Sequence, residues 1–442
     1  MLESAGGASA RPWIDCGGVL PPNPTRQRAL TSQAKTLILL IFVCGLAAFA
    51  GARLSDSLLG TDFPDFYCVA RMLAEGHGHQ LYDAGLQHQY QARYAGGVST
   101  LYNHPPFEAV LYLTVACLPL RRAYWLWSFL SLAFLAAGTR CLANEELLPW
   151  DWRVVLAASL TFVPVLLCLV QGQDSMLLLL LVILAFTALR RGRAFAAGCW
   201  LGLGLFKFHL VVPLVLVLVL TQSGSIRKRL AKGFGLVTLA LLGLSAAISG
   251  WAVFTAYPNF LTHLWNQPFA GISSEAMANF RGLTFFFFHR DQSPWAIAAV
   301  CILSVTGLII TLTSWRHAQI ATDQGAVASR QDQFDLAFAN TVLFALLVSY
   351  NLNPHDLSLL LLPLAVLRKR AWERMPLPTH SAKWATLGLL GILFLPPLHL
   401  WSLTAGVYGL VSIPLLLLFL TGTGKSLTAP ATSPGTATGI PG

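Results

Sequence analysis

Four short polar stretches interrupt an otherwise apolar chain, and they hold the side chains best suited to chemistry. These are Asp62 and Asp65 in GTDFPDFYCVA, Gln171 and Gln173 in QGQDS, Lys207 and His209 in KFH, and His355 and Asp356 in NPHD. A carboxylate can remove a proton from a hydroxyl, and a lysine or histidine can stabilise negative charge as it develops. Together the four stretches favour a site for an anionic, sugar-like or phosphate-bearing ligand.

Three of the stretches also have a structural interpretation that the sequence leaves open. Asp62 fits the N-cap of a helix whose apolar stripe includes Phe66 and Leu73. Asp65 fits the third position of that helix, near the positive end of its dipole. QGQDS can form a polar turn, which the sequence slightly favours, and NPHD can begin a helix.

Lys207 and His209 have the weakest structural alternative. Apolar residues continue on both sides of them, in LGLGLFKFHLVVPLV (201–215). An ionisable side chain deep in an apolar segment is costly, and by default it faces a cavity or a partner. We therefore expect these two side chains to line a functional site.

The elements that must position these residues are membrane-spanning helices. The chain has 442 residues, of which 55% are hydrophobic and 11% are charged, and its mean hydropathy is +0.62. A soluble domain carries about a quarter charged residues. Apolar runs in lipid must be helical, because lipid cannot satisfy backbone polar groups. The composition predicts an all-α, polytopic membrane protein with a single multi-span domain over residues 36–421.

Thirteen apolar segments are the candidate spans. They cover approximately 36–52, 106–120, 123–142, 154–170, 175–189, 194–206, 208–221, 233–250, 295–314, 336–350, 356–367, 384–400 and 402–421. About twelve transmembrane helices are expected, because one of the three segments between 106 and 170 must fail to cross if the topology is to close. Broken helices at this depth are tolerated where they line a cavity.

Charge predicts the orientation of the chain. Three clusters of Lys and Arg lie at 190–193, 227–232 and 368–370, and the positive-inside rule assigns them to the cytoplasm. The loops 53–105 and 251–293 and all four polar stretches then face outside, with amphipathic surface helices in the first loop. The clusters also explain the net charge of +10, so we expect no nucleic-acid partner. Residues 1–35 are expected to be cytoplasmic and disordered, and the tail at 422–442 is also expected to be disordered.

No nucleotide or metal motif accompanies the polar stretches. The sequence has no GxxxxGK[ST] and no strand-linked GxGxxG, and no H-x-x-x-H pair or carboxylate cluster. We therefore expect no cofactor and no metal ligands. A transporter or flippase of lipid-linked sugars is the alternative, since an intramembrane Lys and His would suit it. Transporters of this kind often contain an internal repeat of the span pattern, and the sequence lacks one.

The order of the motifs resembles glycosyltransferase family 87. The matching elements are TDFPDFYCVARMLAEGHGHQLYD, YNHPPFEAVLY, AYWLW, QGQDSMLLLLLVILA, RRGRAFAAGCWLGLGLFKFH and NPHDLSLLLLP. The similarity runs from about Asp62 to Leu362, which is most of the chain. It implies a C-type glycosyltransferase fold and a polyprenyl-phosphate sugar donor, such as a mannose donor. It further implies inverting transfer without a metal, at the outer leaflet of the bacterial inner membrane.

The resemblance also implies roles for individual residues. The family's essential acid in the first loop maps to Asp62, which we predict to be the catalytic base with Asp65 in support. Lys207, His209 and His355 are predicted to stabilise the donor phosphate. The residues predicted to contact the sugar or the acceptor, a lipid or a glycan, are Asn103, His104, Gln171, Gln173 and Asp356.

Overall fold

The computed structural model describes residues 58–97, 100–148, 150–265, 273–290, 293–323, 327–374 and 388–422. The predicted disordered N-terminus, the first apolar segment (36–52) and the tail after Gly422 lie outside these residues. All regular structure in the described part is helical, with no strand.

The helices are numbered here in chain order. They are α1 Phe63–Ala74, α2 Ala84–Ala95, α3 Ala109–Ala116, α4 Leu120–Asn144, α5 Trp152–Ser159, α6 Val163–Gln171, α7 Ser175–Arg190, α8 Ala194–Leu203, α9 Phe208–Thr221, α10 Gly224–Ser249, α11 Val253–Trp265, α12 Phe280–Phe288, α13 Pro294–Asp323, α14 Val327–Val348, α15 Leu361–Arg374, α16 388–394, α17 Pro396–Thr404 and α18 Ser412–Gly422. Seven 3₁₀ segments join some of them: Leu58–Gly60, Gly78–Gln80, Pro106–Glu108, Gly204–Lys207, Ser274–Ala276, Pro354–Leu360 and Tyr408–Val411.

The prediction of about twelve spans is not confirmed. By length and composition, four described stretches could cross a membrane: Leu120–Asn144, Ala194–Thr221, Gly224–Ser249 and Pro294–Arg316. Helices α5 and α6 give a fifth if the pair counts as one span, although the two meet at a bend of 69°. Several predicted segments are instead helices of fewer than 18 residues, because prolines and polar turns divide the apolar runs.

The predicted helix after Asp62 is present as α1, but it does not lie on a surface. Phe63 to Ala70 are all buried, because α1 packs against α2, α3 and the start of α4. The rings of Phe63, Phe66, Tyr112 and their neighbours form an aromatic core, with Phe66 and Tyr112 stacked at 4.5 Å. The helix is therefore an internal element of the fold.

Small residues let the longest helices approach closely. A methyl group added at Gly198 of α8 would lie 2.1 Å from the carbonyl oxygen of Leu230 in α10. One added at Gly233 of α10 would lie 2.1 Å from the carbonyl oxygen of Phe195. Close backbone approach at small residues is how helices associate in lipid, and it fixes α8 directly before the segment that carries Lys207.

Two cores divide the described part of the chain. The aromatic core is built from α1 to α4, and a larger aliphatic core is built mainly from α6 to α9 and α14 to α18. The start of α1, the turn between α6 and α7, and the segment Pro354–Leu360 meet between them. Most of the predicted chemical side chains lie at this junction.

Candidate active site

A polar cavity of about 210 Å³ opens where the two cores meet, and we call it the polar pocket. Nine of the ten predicted site residues line it. They are Asp62, Asp65, Asn103, His104, Gln171, Gln173, Lys207, His209 and His355. The tenth, Asp356, is fully buried behind the wall, where it contacts Lys207. The fold thus brings together residues that are almost 300 positions apart in the sequence.

Asp62 is held from two sides by the turn between α6 and α7. Its backbone N–H donates to Oε1 of Gln171 at 3.1 Å, and its carboxylate oxygen Oδ2 accepts from Nε2 of Gln173 at 2.6 Å. Asp62 stands at the N-cap position, as predicted, but its side chain makes no capping hydrogen bond. The carboxylate is therefore available to face the polar pocket.

Gly172 allows both glutamines to reach Asp62. It has φ +67°, in the left-handed region, and forms the C-cap of α6. Residues with a Cβ atom rarely adopt this conformation. A methyl group there would lie 2.7 Å from Cβ of Phe63. The glycine of QGQDS is thus required both by the turn and by the contact with α1.

Burial and hydrogen bonding act on Asp62 in opposite directions. Burial raises the pKa of Asp62 above its ordinary value, and the hydrogen bond from Gln173 partly opposes this effect. A carboxylate with a raised pKa is a stronger base once it is ionised. Asp65 has a different environment, since its carboxylate accepts from Nε2 of Gln91 at 3.1 Å and from the hydroxyl of Thr100.

Lys207 is enclosed by carboxylates and amides. Its Nζ lies 2.9 Å from Oδ1 of Asp356 and 3.3 Å from Oδ1 of Asp174. It also donates to Oε1 of Gln173 at 3.3 Å. Because Gln173 contacts both Lys207 and Asp62, one amide connects the buried cation to the candidate base. A buried charge needs such partners to offset its desolvation.

The three histidines of the polar pocket are each held by a neighbour. His209 Nδ1 lies 2.8 Å from the hydroxyl of Ser349, and His355 Nε2 lies 3.5 Å from Nζ of Lys207. His104 Nδ1 lies 3.0 Å from Oε2 of the fully buried Glu108. Burial lowers the pKa of His104 to about 4, so the ring is neutral at physiological pH.

A largely apolar cavity of about 560 Å³ adjoins the polar pocket, and we call it the apolar groove. Its lining includes Phe206, Phe208, Val212, Pro213, Leu261 and Leu264. The two cavities share Asn103, His104, His209 and Asn351 in their linings. The pair of cavities therefore suits one ligand with a polar head and a long apolar chain.

Sequence reasoning did not assign a role to several residues at this site. Asp174 pairs with Lys207, Glu108 holds His104, and Asn351 and Asn353 line the polar pocket. Glu108 has one signal, since it stands four residues after His104 in HPPFE, a spacing that joins side chains on one helical face. Asp174 has none, because a carboxylate before a helix fits a cap equally well.

Among the residues that the structure describes, no group of three His, Cys, Asp or Glu side chains is arranged to hold a metal ion.

The fold and the site define a helical membrane protein with a buried polar pocket beside an apolar groove. The model of glycosyltransferase family 87 matches residues 102–349, more than half of the chain. The chain therefore belongs to glycosyltransferase family 87. The matched range contains Lys207, His209, His104 and both glutamines, whereas Asp62 and His355 lie outside it. No curated protein and no solved structure gives a significant match.

Proposed function

We propose that this protein is an inverting, polyprenyl-phosphate-sugar-dependent hexosyltransferase, with mannose as the sugar and Asp62 as the general base. The observation that carries the proposal is the junction between the polar pocket and the apolar groove. A polyprenyl-phosphate sugar needs both environments, because its chain is hydrocarbon and its head is a charged phosphate with a hydroxylated ring. A nucleotide sugar would have no use for the groove.

The reaction assigns a role to each side of the polar pocket. The acceptor hydroxyl oxygen attacks C1 of the sugar, and Asp62 takes the hydroxyl proton. The bond from C1 to the phosphate oxygen breaks, and the phosphate leaves with the electron pair. Attack opposite the leaving group inverts the configuration at C1.

The leaving phosphate needs donors where its charge develops. His209 lines both cavities, and His355 lies beside Lys207, so both are suited to hydrogen-bond the phosphate. Lys207 contributes a fixed positive centre, but Asp174 and Asp356 already compensate its charge. We therefore assign the direct phosphate contacts to the histidines and a field and positioning role to Lys207.

We assign the glutamines two roles: they position Asp62, and they contact the ligand. Gln173 donates one amide hydrogen to the carboxylate, which leaves a second amide hydrogen for a hydroxyl of the sugar or the acceptor. Asn103 and His104 line both cavities, so they are suited to contact the sugar near the phosphate.

The orientation of α7 supports an outward-facing pocket. The helix begins at Ser175, whose hydroxyl donates to Asp356 at 2.9 Å beside the polar pocket. It is 16 residues long and ends at Arg190, next to Arg191, which gives a length of about 24 Å at 1.5 Å per residue. The positive-inside rule assigns the arginines to the cytoplasm. The polar pocket would then open on the extracytoplasmic side of a bacterial inner membrane.

Sugar transfer by the reconstituted protein tests the proposal. Purified full-length protein in lipid vesicles is given radiolabelled polyprenyl-phosphate mannose and octyl α-mannoside as the acceptor probe. We expect labelled octyl dimannoside from the wild type and none from Asp62→Asn. Asp151→Asn is the matched control, because Asp151 is an exposed cap of α5 far along the chain, where Asn caps as well as Asp.

Two results would count against the proposal. Wild-type turnover by folded Asp62→Asn would remove the base assignment. Movement of the labelled lipid across the bilayer without any sugar transfer would instead favour a transporter or flippase.

A further inference from the structure

A third cavity, of about 440 Å³, lies between the 3₁₀ turn Gly78–Gln80 and the helices α10 and α11. We call it the side cavity. Its lining combines the buried Ser249, the half-buried rings of Tyr82 and Phe260, and the exposed Asn259. The proposed transfer chemistry uses none of these residues.

Ser249 carries an unmet hydrogen-bonding group into the side cavity. The residue is 6% exposed, and its hydroxyl has no hydrogen-bond partner among the described residues. A buried hydroxyl without a partner is costly. A ligand that carries hydroxyl groups would satisfy it, whereas a hydrocarbon chain would not.

The remaining lining fits a neutral, hydroxylated ring. Tyr82 and Phe260 lie with their ring centroids 5.2 Å apart and present aromatic surface to the cavity, as suits the C–H face of a sugar. The side chain of Asn259 adds an amide donor and acceptor. The lining contains no Lys or Arg. It includes two histidines, His79 and His263, and the carboxylate of Asp83, whose negative charge disfavours a phosphate.

The wall of the side cavity also supports the polar pocket. The Tyr82 hydroxyl donates to the carbonyl oxygen of His104 at 2.8 Å. Its ring stacks on Tyr257 at 5.0 Å, and the Tyr257 hydroxyl donates to the carbonyl oxygen of Asn103 at 3.1 Å. A ligand in the side cavity therefore lies one aromatic layer away from the loop that lines the polar pocket.

We propose that the side cavity binds a hexose ring of the acceptor glycan, apart from the sugar that reacts. The term acceptor rests on the proposed transfer function, but the carbohydrate site itself rests on the lining described above. Phe260 and Tyr82 supply the apolar surface for the ring. Ser249 and Asn259 supply the hydrogen bonds to its hydroxyls.

A binding measurement tests the site without relying on catalysis. The probe is methyl α-mannobioside, a soluble dimannoside, added to purified full-length protein in lipid nanodiscs and followed by saturation-transfer NMR. We expect Phe260→Ala and Asn259→Ala each to weaken binding about tenfold or more. Phe254→Ala is the matched control, because Phe254 is exposed on the same helix and does not line the cavity.

Transfer kinetics supply the second measurement. With octyl mannobioside as acceptor, Asn259→Ala should raise the acceptor KM about tenfold and leave kcat unchanged. With octyl mannoside, which has no further ring, the KM should stay at the wild-type value. Asn259 is exposed, so this variant keeps the test valid if Phe260→Ala fails to fold.

The outcomes separate this inference from the proposed function. Unchanged dimannoside binding in both variants, or equal loss in Phe254→Ala, overturns the carbohydrate site. Competition by a simple alkyl chain in place of the sugar overturns it as well. Weakened binding in the two variants, together with no transfer from the lipid donor, supports the carbohydrate site and refutes the proposed function.

Discussion

The hydrogen bond from Gln173 to Asp62 gives the sharpest prediction about the base. At 2.6 Å the amide of Gln173 stabilises the ionised carboxylate, whereas burial stabilises the protonated form and raises the pKa of Asp62. The base acts only when ionised, so activity is present above this pKa and falls as the pH drops through it. Gln173→Leu keeps the approximate volume and removes the hydrogen bond, so the pKa of Asp62 should rise further.

The size of the effect follows from the kind of hydrogen bond. A hydrogen bond to a charged group contributes about 1.5–3 kcal/mol, which corresponds to about a 10- to 100-fold change in rate at 25 °C. The loss should be largest at pH values below the acid limb of the wild-type profile. It should shrink as the pH rises and Asp62 ionises in both proteins, leaving only the cost of a less ordered carboxylate.

The assay is the pH dependence of kcat/KM for mannosyl transfer in vesicles. Gln171→Leu is the matched control, because Gln171 accepts from the backbone of Asp62 and does not touch its carboxylate. This control should slow transfer without moving the acid limb. An acid limb at the wild-type pH in Gln173→Leu, or an equal displacement in Gln171→Leu, would refute the assignment.

Three further changes test the supports of the site. Gly172→Ala should lower the unfolding temperature more than Gly192→Ala. Both glycines have positive φ, but only at position 172 would the added methyl group lie against Phe63. Equal losses of unfolding temperature would exclude that contact as the cause. Lys207→Met leaves two buried carboxylates without their cation and should lower the free energy of unfolding by about 3–5 kcal/mol. The measurement is thermal stability in detergent. Unchanged stability would mean that the carboxylates do not depend on Lys207. Glu108→Gln keeps the size and polarity of the side chain that contacts His104, so it should retain more transfer activity than Glu108→Leu. The reverse order would argue against a role for that contact.

The polar stretches could be recognised from the sequence because each breaks a strong apolar pattern. An ionisable residue in an apolar segment needs a partner, so Lys207 was expected to have one, and the structure provides Asp356 and Asp174. The identity of those partners was not predictable. Asp356 is far from Lys207 in sequence, and a cap and an ion-pair partner look alike at a helix start.

The glutamines show the same limit in a different form. Their position at the edge of two Leu-rich runs slightly favours a polar turn and leaves contact with a ligand open, and the structure places both side chains in the lining of the polar pocket. Their hydrogen bonds to Asp62 cross 109 and 111 positions of the chain. No local pattern encodes such a pairing, since it arises only when α1 packs beside the turn after α6.

The transmembrane count shows what hydropathy alone leaves undetermined. Hydropathy finds apolar runs, but it does not separate a span from a short helix buried in protein or from a helix broken by a proline. The run 154–170 contains two helices that meet at 69°, and the run 106–120 contains the eight-residue α3. Buried apolar side chains of the run 154–170 pack in the aliphatic core, and those of the run 106–120 pack in the aromatic core.

The sequence by itself determined the helical, membrane-embedded class, the helix that follows Asp62 and the list of residues able to do chemistry. These properties depend on composition, on periodicity and on the cost of charge in an apolar segment, all of which are local. Only the tertiary structure decided which residues meet: the amide bridge from Asp62 to Lys207, the junction of the polar pocket with the apolar groove, and the side cavity beyond Tyr82. Each depends on packing between helices distant in the chain, because side-chain contacts at this range follow from the whole fold and not from any one segment.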